Sequence, residues 1–159
     1  MRQYVEYNLW ANTTLVNWLR MKPVSDIEEY VPSSFPGIKE TLIHIWDTER
    51  FWLSVVSRTE IKRSFREGFE GTTDEVLDGI CEHSESFMNF VAGLDEAEMT
   101  EKVSLDTPWV SGTRPRFEFL QHCMNHSTYH RGQIITIGRI LGYADAPMTD
   151  YNFYLFLGK

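Results

Sequence analysis

Apolar residues recur every three or four positions along four long stretches of the chain, which is the spacing of helices that each bury one face. The first stretch stops before Pro23, because the residue that precedes a proline disfavours the helical backbone. The second is expected from about Pro36 to Ser57, the third from Thr72 or Thr73 to Gly93, and the fourth from about Pro115 to Leu141. This pattern predicts an all-α fold, a four-helix bundle.

Cap and turn residues indicate where these helices begin and end. Ser34 is the expected N-cap of the second helix, and Glu75 lies close to the capping-box position for the third. Gly142 is expected to end the fourth helix. The tail from Thr149 to Leu157 is aromatic, begins with a cap-like Thr-Asp pair, and predicts a short C-terminal helix.

The connection between the third and fourth helices is long and irregular, spanning residues 95–114. Alternation over residues 102–105 and a Ser-Gly turn signal at 111–112 predict a small hairpin within it. Its length leaves room for a crossover rather than a tight turn. No repeat or second domain is evident, so residues 1–159 are expected to form a single domain.

The amino-acid composition limits the binding partners and the cellular location that we expect for this protein. The 159 residues include 15 Lys and Arg against 23 Asp and Glu, and the formal net charge of −8 argues against nucleic acid and anionic membranes as partners. No apolar run is long enough for a transmembrane helix, and the N-terminus lacks the features of a signal peptide. Because Cys81 and Cys123 are too few for a disulfide framework, a cytoplasmic location is expected.

Three of the five histidines, His122, His126 and His130, lie within nine residues on the fourth helix. Two histidines at i and i+4 can direct both rings at one metal ion. The outer two are about 12 Å apart along the axis, too far to share an ion, so one of the three should have another role. His126 and His130 form the pair that we favour.

A third ligand must come from another helix, and His44, beside the apolar face of the second helix, is the leading candidate. Three imidazoles would leave positions open for water or substrate, as in catalytic metal sites. Imidazole ligands suit zinc, nickel, iron or copper. Zinc or nickel is the expected ion, with iron and manganese as alternatives. His122 could instead pair with His126, and Cys123 could be a thiolate ligand or a buried core thiol.

Other residues near the pair have two interpretations. Asn125, Tyr129, Arg131 and Gln133 could contact the ligands or a substrate, or could form a solvated helix face. His83 is expected to be an ordinary satisfied or exposed histidine. The chain contains no phosphate-binding glycine loop and no nucleophile elbow.

Four segments resemble the DinB/YfiT-like metal-binding family, in order and along nearly the whole chain. They are N-H-S-T-Y-H-R-G-Q-I at 125–134, Y-N-L-W-A-N at 7–12, T-L-I-H-I at 41–45 and P-M-T-D-Y at 147–151. The resemblance implies a bundle with up-down-down-up topology and a long crossover. It also implies a divalent metal on three histidines, which map here onto His44, His126 and His130.

The resemblance also implies a type of activity, although it assigns no catalytic residue. Members of the family are often homodimers. Relatives in the wider superfamily are transferases and isomerases that use low-molecular-weight thiols such as bacillithiol or mycothiol. A metal-dependent enzyme that joins a thiol to an electrophile, or a hydrolase-like relative, is therefore one expectation. The other is a non-catalytic metal-binding protein of the stress-response or sensor type.

Overall fold

The computed structural model describes residues 1–60 and 63–158, and the chain is mostly helical with one small sheet. Residues 61 and 62 of the expected polar connection after the second helix lie outside this description. In chain order the elements are α1 (Arg2–Leu19), α2 (Val24–Ile27), α3 (Gly37–Ser57), α4 (Thr73–Gly93), α5 (Glu96–Thr100), β1 (Lys102–Asp106), β2 (Ser111–Pro115), α6 (Arg116–Ile140) and α7 (Tyr151–Leu157).

The four long helices surround a common apolar interior. Helix α3 packs against α4 and α6, and α1 packs against the same two helices. One buried cluster is formed by side chains of α1, α3, α4 and α6, including Leu15, Leu42, Ile80 and Ile134. A second cluster is centred on α3, α4 and α6 and adds residues of the sheet. The predicted long helices are confirmed to within one or two residues at most ends.

Helix α4 begins as its sequence predicts, whereas α3 does not. The Thr72 hydroxyl accepts a hydrogen bond from the Glu75 backbone N–H at 3.2 Å, and the Glu75 carboxylate accepts from the Thr72 N–H at 2.6 Å. This capping box satisfies two N–H groups that the first turn leaves free. The expected cap at Ser34 is wrong: α3 has Pro36 at its N-cap and no side-chain cap, and Ser34 accepts from Gln133 instead.

The predicted hairpin is confirmed. Strands β1 and β2 pair antiparallel, with Lys102 opposite Pro115 and Asp106 opposite Ser111. Alternation along β1 buries Val103 and Leu105 against the second apolar cluster, while their neighbours stay exposed. The fold is therefore helical with a small sheet added in the connection. The short helices α2 and α5 are not predicted, because one helical turn is too short to show periodicity.

Two glycines shape helix α6 and its end. A Cβ on Gly138 would lie 2.6 Å from the ring of Trp18, so glycine at this position lets α1 pack closely. Gly142 has a φ of +97°, the left-handed conformation that ends many helices and that glycine adopts without strain. No helix in the described ranges is both long and apolar enough to cross a membrane.

Candidate metal centre

Helices α3 and α6 bring three histidines together at one level of the interior. The Nε2 atom of His44 lies 3.1 Å from that of His130 and 3.4 Å from that of His126, and the two α6 atoms are 3.1 Å apart. His126 and His130 converge because a four-residue step nearly completes one helical turn. The i, i+4 pair and the facing histidine therefore occupy the arrangement that the sequence predicts.

The fourth histidine of this region faces elsewhere. His122 is exposed, and its ring packs edge-on against Trp52 at a centroid distance of 4.8 Å. Cys123 is fully buried in the second apolar cluster, where burial raises the pKa of its thiol well above its usual value. Among the described residues, no aspartate, glutamate or cysteine joins the group formed by His44, His126 and His130.

Each of the three rings has different surroundings. The Gln133 side-chain oxygen lies 2.7 Å from His130 Nδ1, and since an amide oxygen only accepts, Nδ1 carries the proton and Nε2 presents its lone pair. Gln133 in turn donates to Ser34 at 3.1 Å. The His44 ring stacks on Phe35 at a centroid distance of 3.8 Å. His126 Nδ1 is buried and has no hydrogen-bond partner within residues 1–60 and 63–158.

All three imidazoles are held neutral. Burial, together with the neighbouring histidines and Arg66, lowers the pKa of His44 to about 3. Burial and the rings of His130 and His122 lower the pKa of His126 to about 4. Burial also lowers the pKa of His130, and the Gln133 hydrogen bond opposes that shift. Neutral imidazole is the form that binds a metal ion.

The donor set fits a divalent ion. Zinc–nitrogen bonds of about 2.0–2.1 Å in a tetrahedral site place neighbouring nitrogens about 3.3–3.4 Å apart. The three Nε2 separations of 3.1–3.4 Å lie close to that value. Because the group has three members, such an ion would keep at least one position that no side chain of the group fills.

The other predicted site residues lie in three different environments. Tyr129 is 62% exposed, and its ring lies 4.9 Å from that of His130. Together with Gln133 it lines a surface cleft of about 480 Å³. Asn125 is exposed and accepts a hydrogen bond from the Tyr4 hydroxyl at 2.7 Å. Arg131 is only 1% exposed and points away from solvent into the helical interior.

Arg131 belongs to a buried polar network that sequence reasoning missed. The network contains one carboxylate, Glu49, which is 0% exposed. Glu49 accepts hydrogen bonds from the amides of Asn8 at 2.7 Å and Asn12 at 3.0 Å and from the hydroxyl of Ser84 at 2.8 Å. A second hydroxyl, that of Ser127, donates to it at 2.9 Å. The carboxylate therefore has a partner from every other long helix.

Arg131 closes the network from the other side. Its Nη1 donates to the side-chain oxygens of both Asn8, at 2.7 Å, and Asn12, at 2.8 Å. A further hydrogen bond reaches Thr128 at 2.8 Å, and Nε has no partner among the described residues. The two asparagines thus connect a buried anion to a buried cation. Asn12 on α1 and Glu49 on α3 occupy positions in the apolar periodicity of their helices. A polar residue at such a position was the signal in the sequence for a buried polar network.

His83 does not join the group formed by His44, His126 and His130. It is half-buried on α4, and burial lowers its pKa. Its Nε2 atom is buried without a hydrogen-bond partner in the described part of the chain, so the ring is neither fully exposed nor fully satisfied.

Comparisons with known proteins agree on one family. The family model described as the DinB family matches residues 1–158. Protein DinB of Bacillus subtilis (strain 168) is 31% identical over 161 residues, which cover 97% of this chain and 92% of that protein. A crystal structure of the DinB-like protein YjoA of Bacillus subtilis matches with a TM-score of 0.66 and 18% identity, covering 93% of this chain and 98% of that one. At that identity the structural match concerns the fold alone.

Proposed function

The chain belongs to the DinB family, and we propose that it is a metal-dependent enzyme whose divalent ion is held by His44, His126 and His130. One observation carries this proposal: three Nε2 atoms from two helices converge within 3.4 Å of one another. Neutral rings support it, as does the fact that no fourth ligand joins the group from residues 1–60 and 63–158. Zinc or nickel suits three imidazole nitrogens, with iron or manganese as alternatives.

Two side chains next to the histidines fix the orientation of their rings for ion binding. Gln133 fixes the tautomer of His130, so that its lone pair faces the other two rings. Phe35 covers the face of His44 and restricts its rotation. A bound ion supplies Lewis acidity, which favours the thiolate form of a sulfur ligand over the thiol at neutral pH.

The reaction that we propose is the transfer of a low-molecular-weight thiol to an electrophile. The thiol gives up its proton to solvent water, its sulfur forms a bond to the electrophilic carbon, and the leaving group departs with its electron pair. Free Cys81 and Cys123 are compatible with the cytoplasm, the reducing compartment in which such thiols occur.

The arrangement of the subunit and its assembly form part of the same proposal. We infer an up-down-down-up four-helix bundle with the hairpin in its crossover, consistent with the packing of α1 and α3 against α4 and α6. A second copy of the chain is the expected partner, as in other members of the family.

The proposal is tested by measuring metal content and thiol conjugation on the same samples. Wild type, loaded with zinc or nickel, should hold about one ion per chain and conjugate a fluorogenic haloalkyl electrophile to a thiol faster than the uncatalysed reaction. The variants His126→Ala and His44→Ala should lose both properties. His122→Ala is the matched control, because it removes an exposed histidine of the same helix.

The two readouts separate the alternatives. Full metal content in His126→Ala would contradict the ligand assignment. Metal lost from the variants but equal conjugation rates in all proteins, across a panel of thiols, would contradict the enzyme and favour a non-catalytic metal-binding protein.

A further inference from the structure

The segment that precedes α4 is fastened to α3 one turn beyond His44. The Ser64 hydroxyl and the Phe65 backbone N–H both donate to the Asp47 carboxylate, at 2.5 Å and 3.2 Å. The ring of Phe65 also packs edge-on against Trp46 at a centroid distance of 4.7 Å. These contacts hold the segment at a defined place beside the metal centre, and Arg66 follows directly.

The Arg66 guanidinium lies near the histidines without a counter-charge. Its Cζ atom is 5.1 Å from the centre of the Phe35 ring, the same ring that stacks on His44 at 3.8 Å. No carboxylate of the described chain lies within ion-pair distance of Arg66, whereas Arg50 pairs with Asp47. The Phe35 ring orients the guanidinium, whose N–H groups have no hydrogen-bond partner in the part of the chain that the structure describes.

The charges at this place favour an anionic ligand. Three neutral imidazoles leave the charge of a bound divalent ion uncompensated, and Arg66 adds a further positive charge. The rest of the chain is acidic, with a net charge of −8, so this region would stand out as cationic. A guanidinium presents two parallel N–H donors that match the two oxygens of a carboxylate.

We propose that Arg66 binds a carboxylate of the small molecule that enters the metal centre, so that the thiol substrate is a carboxylate-bearing thiol. This inference rests on the proposed function for the thiol. Arg66 is then the residue that determines which thiols are accepted. A thiol of equal size without the carboxylate should bind more weakly.

The test compares ligands that differ only in this group, by calorimetric titration of the zinc-loaded protein. Wild type should bind 3-mercaptopropionate about fivefold to tenfold more tightly than 3-mercaptopropionamide. Arg66→Ala should abolish the difference, and Arg66→Lys should retain part of it. Arg63→Ala is the matched control: it removes an exposed charge from the same segment and should leave the preference intact.

A second pair without sulfur, propionate and propionamide, separates this inference from the proposed function. If neither mercapto compound binds but propionate is favoured through Arg66, the carboxylate site stands and the thiol substrate is wrong. Equal affinity for the two mercapto compounds would overturn the role of Arg66 and leave the thiol proposal intact. Persistence of the preference in Arg66→Ala, or failure of all four compounds to bind, would also overturn it.

Discussion

The metal centre and the buried Glu49–Arg131 network lie side by side on α6 but differ in their polar groups. In the network, acceptors meet donors, and one negative charge is balanced by one positive charge. In the metal centre, three imidazole nitrogens of the same kind converge at 3.1–3.4 Å. A polar cluster that is complementary within itself stabilises the fold. A group of three converging imidazole nitrogens can hold a cation.

The difference can be seen in two adjacent residues. His130 forms a hydrogen bond with Gln133, whose side chain also donates a hydrogen bond to the exposed Ser34. Arg131, the next residue, is turned inward, where it binds Asn8 and Asn12. We therefore expect substitutions in the network to affect stability most, and substitutions around the triad to affect metal binding most.

The largest expected effect follows from removing the buried carboxylate. Glu49→Ala leaves the Arg131 charge buried without compensation and deprives two asparagine amides of their acceptor. We expect the free energy of unfolding to fall by about 3–5 kcal/mol, measured by chemical denaturation of the metal-free protein. The double variant Glu49→Ala/Arg131→Met should lose less than the sum of the two single losses. Additive losses would show that the two charges are not coupled.

A smaller effect is expected from removing the Gln133 side chain, which orients the His130 ring. Gln133→Leu removes the acceptor of the His130 Nδ1 proton and should weaken ion binding about tenfold, with little change in the stability of the metal-free protein. Competition with a chromophoric chelator measures the change. Gln121→Leu, an exposed glutamine on the same helix, is the control. Unchanged affinity in Gln133→Leu would mean that the hydrogen bond does not orient the ligand.

The smallest effect concerns pH. The folded pKa values of His44 and His126, about 3 and about 4, lie below the ordinary value of 6.5. As the pH falls from 6.5 towards 4, the unfolded chain takes up protons that the folded chain does not, so stability decreases; above 6.5 these groups contribute no slope.

For the metal-free protein we expect a steady loss of stability over this range, smaller than the two shifts would give at full burial because both rings are partly exposed. Denaturation at several pH values measures it, and His126→Gln should show a shallower slope than wild type. A slope as steep in the variant would assign the effect to other groups.

Much of this molecule could be predicted from its sequence, and the limit is physical. The long helices and the capping box at Thr72 could be predicted because they depend on residues close together in the sequence. The pairing of His126 with His130 is local as well. Placing His44 opposite them needed the assumption that its helix faces α6, to which the family resemblance added support.

What was missed depends on contacts between distant segments. Arg131 follows His130 in a polar run, and nothing nearby in the sequence indicates that its side chain points inward to Asn8 and Asn12 on α1. Arg66 lies in a polar connection, and its place beside Phe35 depends on anchoring to Asp47. Ser34 looked like a cap because serine often is one, but its hydroxyl is used by Gln133.

Four residues within the six-residue stretch 44–49 of α3 contact three different neighbours. His44 faces the α6 histidines, Trp46 and Asp47 hold the segment that carries Arg66, and Glu49 enters the buried network. Adding one residue here would rotate everything beyond it by about 100° and separate all three sets of contacts. During divergence, the chain could therefore gain or lose residues in its connections far more readily than between positions 44 and 49, where its rotational register is fixed.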